Sequence, residues 1–212
     1  MLALIIFISS APLFAQEGRS FGFKTRVTFS NPSYTLDTNS TAMTTYSKAG
    51  FMAGVFVDLF KAGFFELSNE LYFSRKVCSA DATYQGIFVN QFIITSATAR
   101  IDYLIYGVTG KAVFSIGKSS VYAMAEPRIN FYTGSEVTVT DNTFYNEDYV
   151  KDRIKKIGYG INIGAGFNIG LTKSSKIFIE GLFCPDFFYA YEDGLGKARS
   201  NSFELRAGIG FF

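Results

Sequence analysis

Ile157-Gly158-Tyr159-Gly160-Ile161-Asn162-Ile163-Gly164-Ala165-Gly166-Phe167-Asn168-Ile169-Gly170 alternates without a break. Odd positions are apolar and even positions are Gly or Asn. Side chains repeat every two residues only in an extended strand, whose neighbours point to opposite faces. A helix would place apolar residues three or four apart and would tolerate so many glycines poorly. The glycine series fails as a phosphate loop, because its period is two and no helix follows. The run is far longer than an ordinary strand of about five or six residues.

The same period recurs along the chain. Phe21, Phe23, Val27 and Phe29 oppose Gly22, Lys24, Arg26 and Thr28. Phe51, Ala53, Val55, Val57 and Leu59 oppose Met52, Gly54, Phe56 and Asp58. Phe65, Leu67, Leu71 and Phe73 oppose Glu66, Ser68, Glu70 and Ser74. Val121, Ala123, Ala125, Pro127, Ile129 and Phe131 oppose Tyr122, Met124, Glu126, Arg128 and Asn130. Ile177, Ile179 and Phe183 oppose Lys176, Phe178 and Glu180. Phe203, Leu205, Ala207, Ile209 and Phe211 oppose Glu204, Arg206, Gly208 and Gly210. From Ala97 to Phe114, Ala99, Ile101, Tyr103 and Ile105 form one face and Arg100 and Asp102 the other; the phase blurs near Gly107, which predicts a bulge there. About eight strands result, each near or above the nine to eleven residues of a tilted membrane strand.

Short links fall at Phe60 to Gly63, Ile116 to Ser120 and Gly170 to Ser175. Long polar links fall at Asn31 to Lys48, Lys76 to Ser96, Thr133 to Lys155 and Tyr189 to Asn201. Short turns at one rim and long loops at the other are the habit of a barrel in the outer membrane, with the short turns and both termini on the periplasmic side.

Composition agrees. Phe (24) and Tyr (13) favour half-buried pleated positions, and only 4 Pro leave the ladders intact. A net charge of +2 is too small for a nucleic-acid surface. There is no histidine. That excludes Ser-His-Asp, Cys-His and His-ligated zinc chemistry, and with them barrel lipid-A deacylases and proteases that need the imidazole. No enzyme activity, cofactor or metal is expected. Cys78 and Cys184 have no CxxC spacing and read as separate thiols, although an exported chain would permit a bond.

Residues Leu2 to Ile8 form a short apolar run, followed by a Pro12 break, Ala15 and polar Gln16-Glu17. This reads as a signal peptide over residues 1–15, leaving one barrel domain over 16–212. No Lys or Arg precedes the run, and Leu13 stands where a small residue is usual.

The side of the wall that meets hydrocarbon decides the environment. With greasy rows inward, the chain would be a secreted soluble barrel carrying a hydrophobic ligand. With greasy rows outward, Lys24, Arg26, Glu66, Glu70, Arg100, Asp102, Glu126, Arg128, Glu180, Glu204 and Arg206 would line the lumen and pair there to offset desolvation. Glycines crowding the polar face, both signs of charge on it, and aromatics near strand ends favour the second arrangement. Those aromatics are Tyr72, Phe73, Tyr103, Tyr106, Phe131, Tyr132, Phe187, Phe188 and Tyr189. The fold expected is all-β: an eight-stranded antiparallel up-and-down transmembrane barrel.

Gly22 to Ser30, Ala49 to Val57, Leu67 to Arg75 and Gly158 to Gly170 resemble strands one, two, three and six of the small outer-membrane β-barrel family abundant in Bacteroidetes, the PorT-like porin family. Its fourth strand usually carries Tyr-Leu-x-Ile-Pro; here Tyr103-Leu104-Ile105-Tyr106-Gly107 lacks the Pro. The resemblance implies an outer-membrane barrel without an assigned activity. It also makes Phe212 a signal for the barrel-assembly machinery.

The paired carboxylates Glu66, Glu70, Glu126 and Glu180 invite an acid/base reading, but an eight-stranded lumen is just wide enough for side chains, and a structural salt-bridge network accounts for them. Tyr34, Tyr46, Tyr84, Phe144, Tyr145, Tyr149 and Tyr191 lie in the long links, either packed over the mouth or presented to a partner. The expected partners are outer-membrane lipid, the assembly machinery, and a surface or secretion-system protein, with no nucleic acid. The function expected is structural or interactive, with a small pore as the alternative.

Overall fold

The computed structural model describes residues 20–36, 41–85, 92–140, 152, 154–189, 191–192 and 196–212. The expected signal peptide lies outside them. The strands are β1 (Phe21–Leu36), β2 (Thr41–Ala62), β3 (Phe65–Gln85), β4 (Phe92–Ile116), β5 (Ser119–Thr140), β6 (Ile157–Gly170), β7 (Ser175–Pro185), β8 (Tyr191–Glu192) and β9 (Gly196–Phe211). Each long strand pairs antiparallel with the next, and β1 closes on β9 from Phe21↔Phe211 to Leu36↔Gly196. The two residues of β8 pair only with Ala198 and Lys197 of β9, so eight strands form the closed wall. Closure removes the free edge that an open sheet would leave in lipid.

The greasy rows point outward. Along β1, Phe21, Phe23, Val27 and Phe29 are exposed, while Gly22, Lys24, Arg26, Thr28 and Ser30 are buried. The same holds for Ile157, Tyr159, Ile163, Phe167 and Ile169 of β6, and for Phe203 and Leu205 of β9. A soluble barrel would have the reverse arrangement, so the carrier reading falls. Outer aromatics make two bands. Phe51 meets Phe73 and Phe183 meets Phe203 in one, with ring centroids 6.1 and 5.3 Å apart. Phe21 meets Phe211 and Phe64 meets Phe114 in the other, at 5.7 and 6.5 Å. Bands of this kind sit at the two membrane interfaces. Tyr72, Tyr103 and Phe188, expected in such a band, are buried inside instead.

Short turns lie at one end. Gly63 and Gly117 adopt φ of 57° and 64°, the left-handed conformation that tight hairpins require and that glycine adopts without a Cβ clash. At the other end the strands run further than expected. β1 reaches Leu36, β3 reaches Gln85 and β5 reaches Thr140, so much of the first three supposed polar links is strand. Above the membrane both faces of a strand can be polar. The alternation of hydrophobicity then disappears although the pleat continues.

The expected phase of β4 is reversed in its upper half. Ile101, Tyr103, Ile105, Gly107, Thr109, Lys111 and Val113 all face inward in one unbroken row, with no bulge at Gly107. The slip is in β5 instead: Asp102 pairs with Gly134 and Tyr103 with Tyr132, which leaves Thr133 over. Arg100 and Asp102 therefore stand on the outer wall and are not part of the lumen. There Arg100 pairs with Glu136 at 3.2 Å, and Arg75 grips Asp102 through two hydrogen bonds of 2.7 Å. The cause is height. Near the mouth the inside is filled by Met52, Tyr72, Ile101, Tyr103, Ile105 and Ile154, and the wall above the belt carries these ion pairs.

Inward glycines make room for large side chains. A Cβ on Gly158 would lie 2.0 Å from the Phe188 ring, and one on Gly166 would lie 2.4 Å from Tyr122. A Cβ on Gly164 would lie 2.1 Å from the backbone oxygen of Gly181, which cannot swing away. Gly164→Ala is expected to destabilise the barrel by about 1–3 kcal/mol, as overpacking does. Gly158→Ala, which meets only a side chain, should cost less. Urea midpoints of the two refolded variants check the order.

Candidate functional site: the charged lumen

Neighbouring strands bring charges together that lie far apart in sequence. Arg206, on the inner face of β9, is 1% exposed and sits among four carboxylates. Its Nη1 lies 2.7 Å from Glu126, 3.5 Å from Glu70 and 3.5 Å from Glu180, and its Nη2 lies 3.6 Å from Glu204. Lys24 of β1 donates to Glu70 at 2.6 Å and lies 3.6 Å from Glu180. Lys111 of β4 lies 3.5 Å from Glu180, and Arg26 of β1 bonds Glu204. Four cations thus meet four carboxylates in one buried layer.

Neutral donors complete it. Tyr72 donates to Glu70 at 2.5 Å and also bonds Glu126. Thr109 donates to Glu70 at 2.7 Å, and Tyr122 donates to Glu180 at 2.8 Å. Rings cover the cations: Arg26 lies 4.3 Å above Tyr72, and Lys24 lies 5.0 Å from Phe56 and 5.3 Å from Phe178. A low-dielectric lumen makes each pair stronger and each missing partner more costly.

Smaller clusters close the two ends. On the short-turn side, Asp58 accepts from Ser20, from Ser68 at 2.7 Å and from Lys176 at 3.3 Å. Glu66 is inside but pairs at 2.7 Å with exposed Lys61 rather than with the central layer. On the mouth side, Arg128 donates to Asp186 at 2.6 Å, to Asn162 at 2.7 Å and to Asn130 at 2.9 Å. Lys76 donates to the other oxygen of Asp186 at 2.8 Å.

Of the expected lumen residues, Lys24, Arg26, Glu66, Glu70, Glu126, Arg128, Glu180, Glu204 and Arg206 are therefore inside. Arg100 and Asp102 are not. Lys76, Lys111, Asp58 and Asp186 were missed, as were Tyr72 and Tyr122 as donors. Extending the inner row of β3 in steps of two reaches Lys76, whereas Lys111 lies in the row of Ile101, Tyr103 and Ile105, which hydropathy sets outward. Asp186 keeps step with Glu180, Leu182 and Cys184 on the inner row of β7, one residue past the Pro185 that ends the strand.

The central carboxylates are already engaged by Lys, Arg, Thr and Tyr, which leaves none of them placed as an open base or nucleophile. Cys184 is buried, and Cys78 is half-buried with its Sγ donating to the Ala99 oxygen at 3.7 Å; both are free thiols. Among the described residues, no group of three His, Cys, Asp or Glu could hold a metal. Of the loop aromatics, Tyr46 is exposed. The side chains of Tyr34, Tyr84 and Tyr191, and all of Phe144, Tyr145 and Tyr149, lie outside the described residues.

The chain is similar to several solved structures. Neisserial surface protein A is 14% identical over 92% of this chain and 99% of its own, with a TM-score of 0.51. Ail of Yersinia pestis is 16% identical over 92% and 100%, at 0.37. The outer membrane protease OmpT of Escherichia coli is 8% identical over 91% and 95%, at 0.39. No curated protein matches the sequence. Residues 14–188 match the model of the outer membrane protein beta-barrel domain. With its closed eight-stranded wall and its greasy exterior, the chain belongs to that family and is a protein of the cell outer membrane.

Proposed function

We propose that this protein is a sealed outer-membrane barrel whose work is structural or interactive, done by the rim it raises outside the membrane. The observation that carries the reading is the central layer, where Arg206, Lys24 and Lys111 with Glu70, Glu126 and Glu180 cross the lumen and leave it side-chain-filled. A small pore is the second reading. Planar-bilayer recordings of the refolded protein should show no steady ohmic openings; regular unitary conductance would overturn the sealed lumen.

The rim supports an interaction role. β2, β3, β4 and β5 have 22, 21, 25 and 22 residues, about twice what a membrane crossing needs. Replacing residues 80–97 by a tight turn should keep the barrel foldable and abolish its binding to a surface or secretion-system partner; unchanged adhesion of barrel-bearing vesicles to cells would argue against the rim. The strand motifs from Gly22, Ala49, Leu67 and Gly158 support a reading of the chain as a member of the PorT-like Bacteroidetes branch. Export would remove residues 1–15, and Phe212 would then present the barrel to the assembly machinery.

A further inference from the structure

Among the described residues, the mouth side of the lumen carries one more positive charge than it has carboxylates. Arg128 and Lys76, 4% and 7% exposed, share the single carboxylate of Asp186. In the layer below, Lys24, Arg26, Lys111 and Arg206 match Glu70, Glu126, Glu180 and Glu204 one for one. A surplus charge in a low-dielectric interior is costly unless a counter-charge joins it.

The polar groups beside that surplus include donors that find no acceptor among the described residues. Arg128 points N–H groups at the Oδ1 of both Asn130 and Asn162. A guanidinium cannot accept, so each amide turns its oxygen to Arg128 and its NH2 elsewhere. Among the described residues the Nδ2 of Asn130 has no partner, nor have Tyr103 Oη and Ser74 Oγ, and all three residues are fully buried. They are neighbours. Ser74 lies opposite Tyr103, and Ile105, two residues along the same face, lies opposite Asn130. Lys76 continues the arc from Ser74, and Arg128 continues it from Asn130, each two residues on. Five donor groups therefore line one arc, bounded by two cations and served by one carboxylate.

We propose that this arc binds a small monovalent anion of the size of chloride, as a built-in part of the lumen cap. A halide accepts several N–H and O–H bonds and offers no donor, which is the complement of these groups. One surplus charge calls for a monovalent ion, and Tyr103 of the arc packs in one cluster with Met52, Ile101, Ile105 and Ile154, so apolar side chains wall the site. The full chain, refolded in detergent, tests this in two ways. Crystals grown from bromide should give an anomalous peak in contact with Lys76 Nζ or Asn130 Nδ2. The thermal midpoint should be about 5 °C higher in chloride than in gluconate at equal ionic strength, because a ligand of the folded state alone stabilises it by mass action. Asn130→Asp places a carboxylate in the arc, and Lys76→Met removes the surplus. Both should fold and lose the chloride response. Equal midpoints for the parent protein with no bromide peak, or a response that survives in both variants, would overturn the site.

Discussion

Arg206→Met is expected to cost the folded barrel about 3–5 kcal/mol, the penalty typical of breaking a buried ion pair from one side. The substitution keeps most of the volume and removes only the charge. Glu126 then loses the cation at 2.7 Å, and Glu70 and Glu180 each lose one at 3.5 Å. Lys24, Lys111 and Arg26 remain, so the layer holds three cations against four carboxylates. The loss is thus mostly the cost of a stranded carboxylate rather than the worth of one bond. That distinction has a consequence. Arg206→Met with Glu126→Gln restores the balance and should recover more than half of the single-variant loss, giving a strong coupling in a double-mutant cycle. Reversible urea unfolding in vesicles, followed by the mobility shift of the folded barrel, reads all three variants. If the two losses simply add, the charges do not act as one network.

What was legible in the sequence follows from height along the barrel axis. Through the hydrocarbon belt, one face meets lipid and the other meets the lumen, so Ile163 against Gly164 or Phe203 against Glu204 declares its side at once. Above the belt that contrast inverts. Ile101, Tyr103 and Ile105 fill the mouth while Arg100 and Asp102 stand on the outer wall, and hydropathy alone assigns both rows to the wrong face. The inner rows of β3 and β4 remained incomplete for a related reason. Lys76 sits where the outer face stops being greasy, and Lys111 sits beyond the apparent break at Gly107. Counting in twos from Ser74 would have found Lys76, but the same count sets Lys111 in the row of Ile101, Tyr103 and Ile105, which hydropathy had turned outward.

The partners of each charge were not legible. Lys24 meets Glu70 46 positions away, and Arg26 meets Glu204 178 positions away. Such pairs depend on the stagger with which the sheet closes, and closure is a property of all eight strands together. Strand β5 shows how sensitive it is: one extra residue at Thr133 sets the register of everything above it against β4. Asp186 depends on closure as well. It bridges to Gly160 just past the end of β7, in step with Glu180, Leu182 and Cys184; counting in twos reaches it, but its partners Arg128 and Lys76 come only with closure.

Ile179→Lys should destabilise the inserted barrel by about 2–4 kcal/mol, and Ile157→Lys by no more than about 1 kcal/mol. Both side chains point outward, at 63% and 64% exposure, so on a water-soluble protein neither would matter more than the other. In a bilayer, depth decides. Ile179 lies midway along β7 between Ser175, opposite Phe211 of one aromatic band, and Phe183 of the other, so a lysine there must reach about half the hydrocarbon thickness to find a headgroup. Ile157 begins β6 at the mouth side, beyond Ile163 that pairs with Phe183, and a lysine there reaches the interface by extending its own stem. The inner face is not disturbed by the change at 179, because Phe178 and Glu180 keep the lumen side. Folding efficiency into vesicles as a function of urea separates the two variants. Equal, small effects would mean that β7 does not face hydrocarbon; a loss at position 179 several times that at 157 is what a strand crossing a membrane requires.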